Sequence, residues 1–250
     1  MKIIETFDQD QLNENIRELL NLTRLKGHPN IISSDKYYVS SVLLSNQKLL
    51  NQILIEMEYA DENLLSMIKE APNHQIEQKK LIKILKQIGN GLAFAHERDC
   101  VHLDLKPENI LVVDSVYKIA DWGGSLILKD GEKGLSKEEN VYFTYSFAAP
   151  EIIEQLEKKT FGKEKINLYK CDVYSFGLVI FKCCGVRMKD IKKIPRDKDG
   201  HDIAVNQLLE NLVSQNYSFE FCKLINKLCK YNPKSRPTII EFLSILNSIK

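Results

Sequence analysis

The nine residues Val101-His102-Leu103-Asp104-Leu105-Lys106-Pro107-Glu108-Asn109 constrain this chain more than any other stretch. They place a carboxylate, a lysine two residues on and a carboxamide five residues on in one short polar loop. An apolar run, Ile110-Leu111-Val112-Val113, follows directly. A second acid arrives in Asp121-Trp122-Gly123, twelve residues after Asn109. Two acids, an amide and a lysine gathered this way suit a site that holds a metal-bound polyphosphate and orients a hydroxyl beside it. The bland alternative is a surface turn with chance charges, and it leaves unexplained the matching pieces that follow in order.

Composition narrows the classes. A chain of 250 residues can form one large domain or two lobes with sizeable cores. Its 35 basic and 34 acidic residues leave a net charge of +1, which gives no electrostatic case for nucleic acid or an anionic membrane. The cysteines lack zinc-ligand spacing, and Cys183 and Cys184 are adjacent inside an apolar helical pattern. They read as reduced core residues of an intracellular, cytoplasmic or nuclear, protein. No N-terminal apolar segment follows Met1-Lys2, so no secretory signal is expected. No apolar run approaches the ~20 residues that span a bilayer, so membrane insertion is not expected either.

Periodicity outlines the organisation. Residues 2–5 read as a short strand, and residues 10–25 as an amphipathic helix with Leu12, Ile16, Leu19, Leu20 and Leu22 at helical spacing. Thr6 and Gln9 offer a thin capping-box signal near its start. Gly27 and His28-Pro29-Asn30 end it. Residues 31–50 give one or two strands and an irregular region, and Ile53 to Tyr59 a buried strand. Helices are expected at 63–70, at 78–97 with Leu81, Leu85, Ile88, Leu92 and Ala95 on one face, at 173–184, and three times within 204–248. Small strands first and helices later fit two lobes, α+β then mostly α, with the boundary near Tyr59 to Asp61.

His102-Leu103-Asp104 with Leu105 to Asn109, Asp121-Trp122-Gly123 and Ala149-Pro150-Glu151 together resemble the motif set of the eukaryotic-type Ser/Thr protein kinase family. Each triplet alone is weak; in order they are highly specific. The resemblance implies an α+β, two-lobed protein kinase-like fold with a truncated N-terminal β lobe (residues 1–59) and a mostly α-helical C-terminal lobe (60–250). It also implies ATP and Mg2+ as cofactors, and protein substrates with Ser or Thr acceptors. Asp104 would be the base, Lys106 would meet the transferring phosphoryl, and Asn109 and Asp121 would be the magnesium ligands. A lysine at 106 resembles the Ser/Thr-directed branch. Met57 would back the adenine pocket, the Glu58 carbonyl and the Ala60 backbone would face the adenine edge, and Leu111 would form the floor. Core packing explains Met57 and Leu111 equally well. Glu18 would pair with Lys2 to hold the α- and β-phosphates, although Lys2 also reads as a solvated terminal lysine. Leu22, Trp122 and His102 would stack in an internal column. Glu151 would pair with Arg236, and Asp172 would anchor the catalytic loop or act as an N-cap, or both at once.

Three departures qualify the resemblance. No glycine-rich turn precedes Lys2, which fits either a fragment of a longer kinase or a natural protein with a reduced upper lobe. Leu103 replaces the arginine that gathers a phosphorylated activation loop, so activity is expected not to depend on phosphate at Ser136 or Thr144. Trp122 replaces a phenylalanine. Glu154 to Lys165 reads as a solvated insertion. The competing readings are a pseudokinase-like scaffold and a small-molecule kinase. Retention of Asp104, Lys106, Asn109 and Asp121 together speaks against the first, and the resemblance of Glu151 and Arg236, with the loop from Val141 to Ala148, to a peptide-substrate platform speaks against the second.

Overall fold

Two-residue periodicity builds the first sheet and aims Lys2. The computed structural model describes residues 2–46, 48–128, 143–160 and 166–249, with side chains except at residues 9–11, 13–15 and 35. Strands β1 (Lys2–Thr6), β2 (Ser34–Leu43) and β3 (Leu49–Met57) form an antiparallel sheet in the order β1-β3-β2. Lys2 pairs with Ile55, Ile4 with Ile53 and Thr6 with Asn51. Side chains alternate across a strand, so Lys2, Ile4 and Thr6 share the face of the buried residues Ile53 and Ile55. Helix α1 (Gln9–Arg24) packs on this sheet with Leu12, Leu19 and Leu22 buried. Lys2 therefore faces α1, while Ile3 and Glu5 face away.

Residues 31–50 are more regular than expected. β2 runs ten residues and forms a hairpin with β3. Tyr37, Tyr38, Val39, Val42 and Leu43 are all exposed, so neither face of β2 shows the inside–outside alternation that marks a strand in a sequence. β3 also ends at Met57, two residues before the expected Tyr59.

Beyond β3 the fold becomes mostly helical. Strand β4 (Glu62–Asn63) leads into α2 (Leu64–Glu70), where Asn63 and Ser66 form a capping box. Helix α3 (Gln78–His96) buries the expected face of Leu81, Leu85, Ile88, Leu92 and Ala95. A Cβ at Gly91 would lie 2.6 Å from the Asn30 carbonyl oxygen, so only glycine lets α3 approach that backbone. The Asn30 carbonyl in turn accepts from Ile119 N. Strands β5 (Cys100–Val101), β6 (Ile110–Val113), β7 (Val116–Ile119) and β8 (Leu126–Ile127) pair as β4-β6-β7 and β5-β8, framing the loop at 102–109.

Helices α4 (Pro150–Lys158), α5 (Leu168–Cys183), α6 (Met188–Ile191), α7 (Lys198–Ser214), α8 (Phe219–Leu228) and α9 (Ile239–Ser248) complete the fold. Every residue of α5 from Cys171 to Phe181 is buried. This helix starts five residues earlier than its apolar run, because Asn167 caps it by accepting from Lys170 N. Asp172 therefore lies inside the helix, and the N-cap reading of it is corrected. Of the expected solvated insertion from Glu154, residues up to Lys158 are helical with 156–159 exposed, and residues 161–165 lie outside the described set. So do Ser136 and the Gln9 side chain; Thr6 Oγ1 instead accepts from Asp8 N. All six cysteines are buried and free, and burial pushes the Cys100 and Cys183 thiols up to about 12, as inert core residues require.

Candidate active site

The polar loop is held from below by one buried carboxylate. Asp172 accepts from His102 N at 2.8 Å and from Leu103 N at 2.7 Å, and its Oδ2 lies 2.8 Å from His96 Nε2. A fully buried acid is tolerated only when its oxygens are engaged, and three donors engage this one. His102 is buried against Trp122, with ring centroids 4.7 Å apart. Its Nε2 meets the Ala120 carbonyl oxygen and its Nδ1 meets Asp104 N, so the ring is neutral with the proton on Nε2. Leu103 takes a φ of 65°, a left-handed conformation that a leucine adopts only when its surroundings impose it.

Held this way, Asp104 sits at the centre of a polar cluster. Its Oδ1 accepts from Thr144 N at 2.7 Å and its Oδ2 from Lys106 Nζ at 2.6 Å. Lys106 also donates to Thr144 Oγ1 at 2.9 Å. Asn109 Nδ2 donates to the Asp104 carbonyl at 2.9 Å and reaches Oδ2 at 3.3 Å. With Nδ2 spent on Asp104, Asn109 keeps Oδ1 as an oxygen donor.

A second cluster joins the sheet, α1 and residue 121. Lys2 Nζ lies 2.6 and 2.8 Å from the two Glu18 oxygens and 3.1 Å from Asp121 Oδ1. Burial would lower the Lys2 ammonium, but Glu18 and then Asp121 outweigh it and hold Lys2 above its ordinary 10.5. Burial pushes the Glu18 carboxyl up, with Lys2 pulling the other way. Asp121 is half exposed and has a φ of 61°, so its carboxylate stands clear of the core while Trp122 beside it is fully buried.

The two clusters supply what Mg2+ accepts, oxygen from one or two protein groups with phosphates and water completing the shell. Asp121 offers an exposed carboxylate and Asn109 an amide oxygen. Among the described residues no group of three or more His, Cys, Asp or Glu side chains is placed to hold a metal ion by itself.

Asp104, Lys106, Asn109 and Thr144 come together, as do Lys2, Glu18 and Asp121. Met57 and Leu111 are partly buried against the core, as plain packing also explains. Ala60 follows the end of β3 in a half-buried position. A cavity of about 670 Å³ between α2, the start of α3 and residues 215–217 contains none of these residues. Glu151 and Arg236 form a bidentate pair at 2.6 and 2.9 Å, and Arg236 stacks on Tyr174.

Two positioning groups carried no readable signal. Asn21 is fully buried and donates to Trp122 O at 3.3 Å, to Ser125 O at 3.2 Å and to Ser125 Oγ at 2.7 Å, tying α1 to the segment after Asp121. It stands three residues after Glu18, a polar residue on a face that also carries leucines. The Glu58 side chain is also engaged, by Lys118 Nζ of β7 and by Ser33 N just before β2 at 2.7 Å, and these bonds join the end of β3 to both.

The protein kinase domain family model matches residues 1–246. Sperm motility kinase 2B of Mus musculus is 30% identical over 90% of this chain and 41% of its own length. Serine/threonine-protein kinase 12 of Arabidopsis thaliana is 28% identical over 97% of this chain and 49% of its own. A Dictyostelium discoideum protein named as a probable serine/threonine-protein kinase is 24% identical over 97% of this chain and 30% of its own. The chain spans less than half the length of each of these three relatives.

Proposed function

Because the chain belongs to the protein kinase family, we propose that it transfers the γ-phosphoryl group of ATP to serine or threonine hydroxyls of protein substrates. The observation that carries this reading is the bridging of Asp104 by Lys106 and Thr144, which leaves a carboxylate fixed beside a lysine on the open side of the loop.

The residues divide the work. Residues 1–59 and 60–250 serve as the two lobes. Lys2, steadied by Glu18, holds the α- and β-phosphates, while Met57, Glu58, Ala60 and Leu111 form the adenine side. Asn109 and Asp121 would hold Mg2+, which would supply positive charge to the phosphates. Asp104 orients the acceptor hydroxyl and takes its proton as the oxygen bonds to the γ-phosphorus and the bond to the bridging oxygen of ADP breaks. Lys106 meets the charge on the transferring group. Ser or Thr acceptors are supported by Lys106 and by the names of the relatives.

Incubation of the purified chain with labelled Mg-ATP and casein, followed by phosphoamino-acid analysis, tests the reading. Labelled phosphoserine and phosphothreonine that vanish with Asp104→Asn are expected. Phosphotyrosine alone would overturn the acceptor class, and bound ATP with no transfer would overturn catalysis.

A further inference from the structure

The stretch Ile194-Pro195-Arg196-Asp197 between α6 and α7 takes no part in the chemistry proposed above, yet one of its side chains reaches into the acceptor side of the site. Arg196 donates through Nη1 to the Ala148 carbonyl at 2.9 Å and through Nη2 to the Tyr145 carbonyl at 3.4 Å. Its guanidinium also lies 5.9 Å from the centre of the Tyr145 ring. The same Nη1 faces the Tyr174 hydroxyl of α5 at 3.4 Å. That hydroxyl is 2.9 Å from His201 Nε2, and His201 Nδ1 is 3.1 Å from Asp202 Oδ1.

Donor rules fix the direction of this chain of bonds. Arginine can only donate and an ionised carboxylate only accept. The Tyr174 oxygen therefore accepts from Arg196, its hydrogen goes to His201 Nε2, and His201 Nδ1–H goes to Asp202. Every member is satisfied with His201 neutral. The chain runs from the Asp202 carboxylate on α7 through α5 to the guanidinium.

We propose that Arg196 is a positioning residue for the acceptor-binding segment, setting the shape of residues 144–148 from outside while Thr144 fixes their inner end to Asp104 and Lys106. The inference rests on the kinase reading above. The segment is a tight turn, in which Phe147 N and Ala148 N both donate to the Thr144 carbonyl, at 2.8 and 3.1 Å. Ser175 Oγ holds the Phe147 carbonyl at 2.8 Å. The carbonyls on either side of that anchor, Tyr145 and Ala148, both go to Arg196. A planar fork can span two carbonyls at once, whereas an ammonium is a single point of charge. Loss of Arg196 frees the outer part of the turn first. The effect therefore falls on acceptor binding before it reaches Asp104.

Arg196→Ala and Arg196→Lys in the full chain test this with two readouts. Hydrogen exchange over residues 143–149 should quicken about tenfold in Arg196→Ala and less in Arg196→Lys, with α5 unchanged, as expected for lost charge-assisted hydrogen bonds. With the best acceptor from a degenerate Ser/Thr peptide mixture, the peptide KM should rise about tenfold while the ATP KM stays within about twofold. Unchanged exchange in 143–149, protection lost equally in α5, or equal rises in both KM values would overturn the inference. A wild-type chain that phosphorylates no peptide would overturn the kinase reading instead, and the exchange readout would still decide whether Arg196 shapes the segment.

Discussion

The backbone N–H of Leu103 donates to the Asp172 carboxylate at 2.7 Å across 69 residues of sequence, and it does so from a φ of 65°. A strained residue at the rim of a site is held there by α5, a helix buried from Cys171 to Phe181. Asp172→Ala leaves His102 N and Leu103 N buried without their acceptor, at a cost of about 1–3 kcal/mol for each group. Urea unfolding should show a loss of about 2–6 kcal/mol on that basis. A change below ~0.5 kcal/mol would mean that the loop holds its shape without Asp172.

Leu103 is also buried, with no charge to offer a phosphate. Ser136→Ala should therefore leave turnover of the peptide acceptor within about twofold of wild type. Thr144→Ala removes the hydroxyl shared with Lys106, and misplacement of that lysine should lower kcat by about 10- to 100-fold. Steady-state kinetics of the two variants distinguishes the roles; a large loss at Ser136 would restore a phosphate switch.

Asn21 joins α1 to Trp122 and Ser125, so it governs whether Glu18 and Asp121 meet Lys2 together. Asn21→Leu replaces a three-bond amide with an apolar group beside buried oxygens. Thermal unfolding should register a loss of about 1–3 kcal/mol, accompanied by weaker Mg-ATP binding. Loss of stability with unchanged ATP affinity would show that the tie is only structural.

What could be read from the sequence follows the distance between partners. Asp104, Lys106 and Asn109 lie within six residues, and their meeting needed no fold to foresee. The pairing of Lys2 with Glu18 spans a strand and a helix and rested on family resemblance alone. Of the two roles open to Asp172, the loop anchor holds and the N-cap does not: an acid before an apolar run looks like an N-cap, while the real cap, Asn167, precedes a first turn in which Tyr169 and Lys170 interrupt the apolar pattern. Glu58 with Lys118, Asn21 with Ser125 and Arg196 with Ala148 had no local pattern, since each is a polar side chain satisfied by a remote backbone or charge. A strand was expected within residues 31–50, but the ten-residue extent of β2 was not readable for a related reason: with both faces exposed, it has no period to display.

Burial lowers the His201 pKa below its ordinary 6.5, with Asp202 pulling the other way. A histidine kept neutral in the fold adds stability above its unfolded pKa, and that stability is lost as pH falls below about 6.5 towards the folded value. Tyr174, Asp202 and Tyr231 contact the ring and the charges of Arg236 and Arg196 act on it, and none of the five carries an ordinary pKa between 5 and 8. The melting temperature of His201→Gln relative to wild type, measured from pH 7.5 to pH 5, should therefore show a smaller acid-side decline for the variant. Parallel curves would contradict a buried neutral His201.

The most direct measurement is calorimetric titration of the purified chain with ATP, with and without Mg2+, beside Asp121→Asn. The arrangement of Lys2, Glu18, Asn109 and Asp121 predicts magnesium-dependent binding that the substitution weakens by about tenfold or more. Binding that ignores both magnesium and the substitution, or no binding by the folded chain, would contradict it.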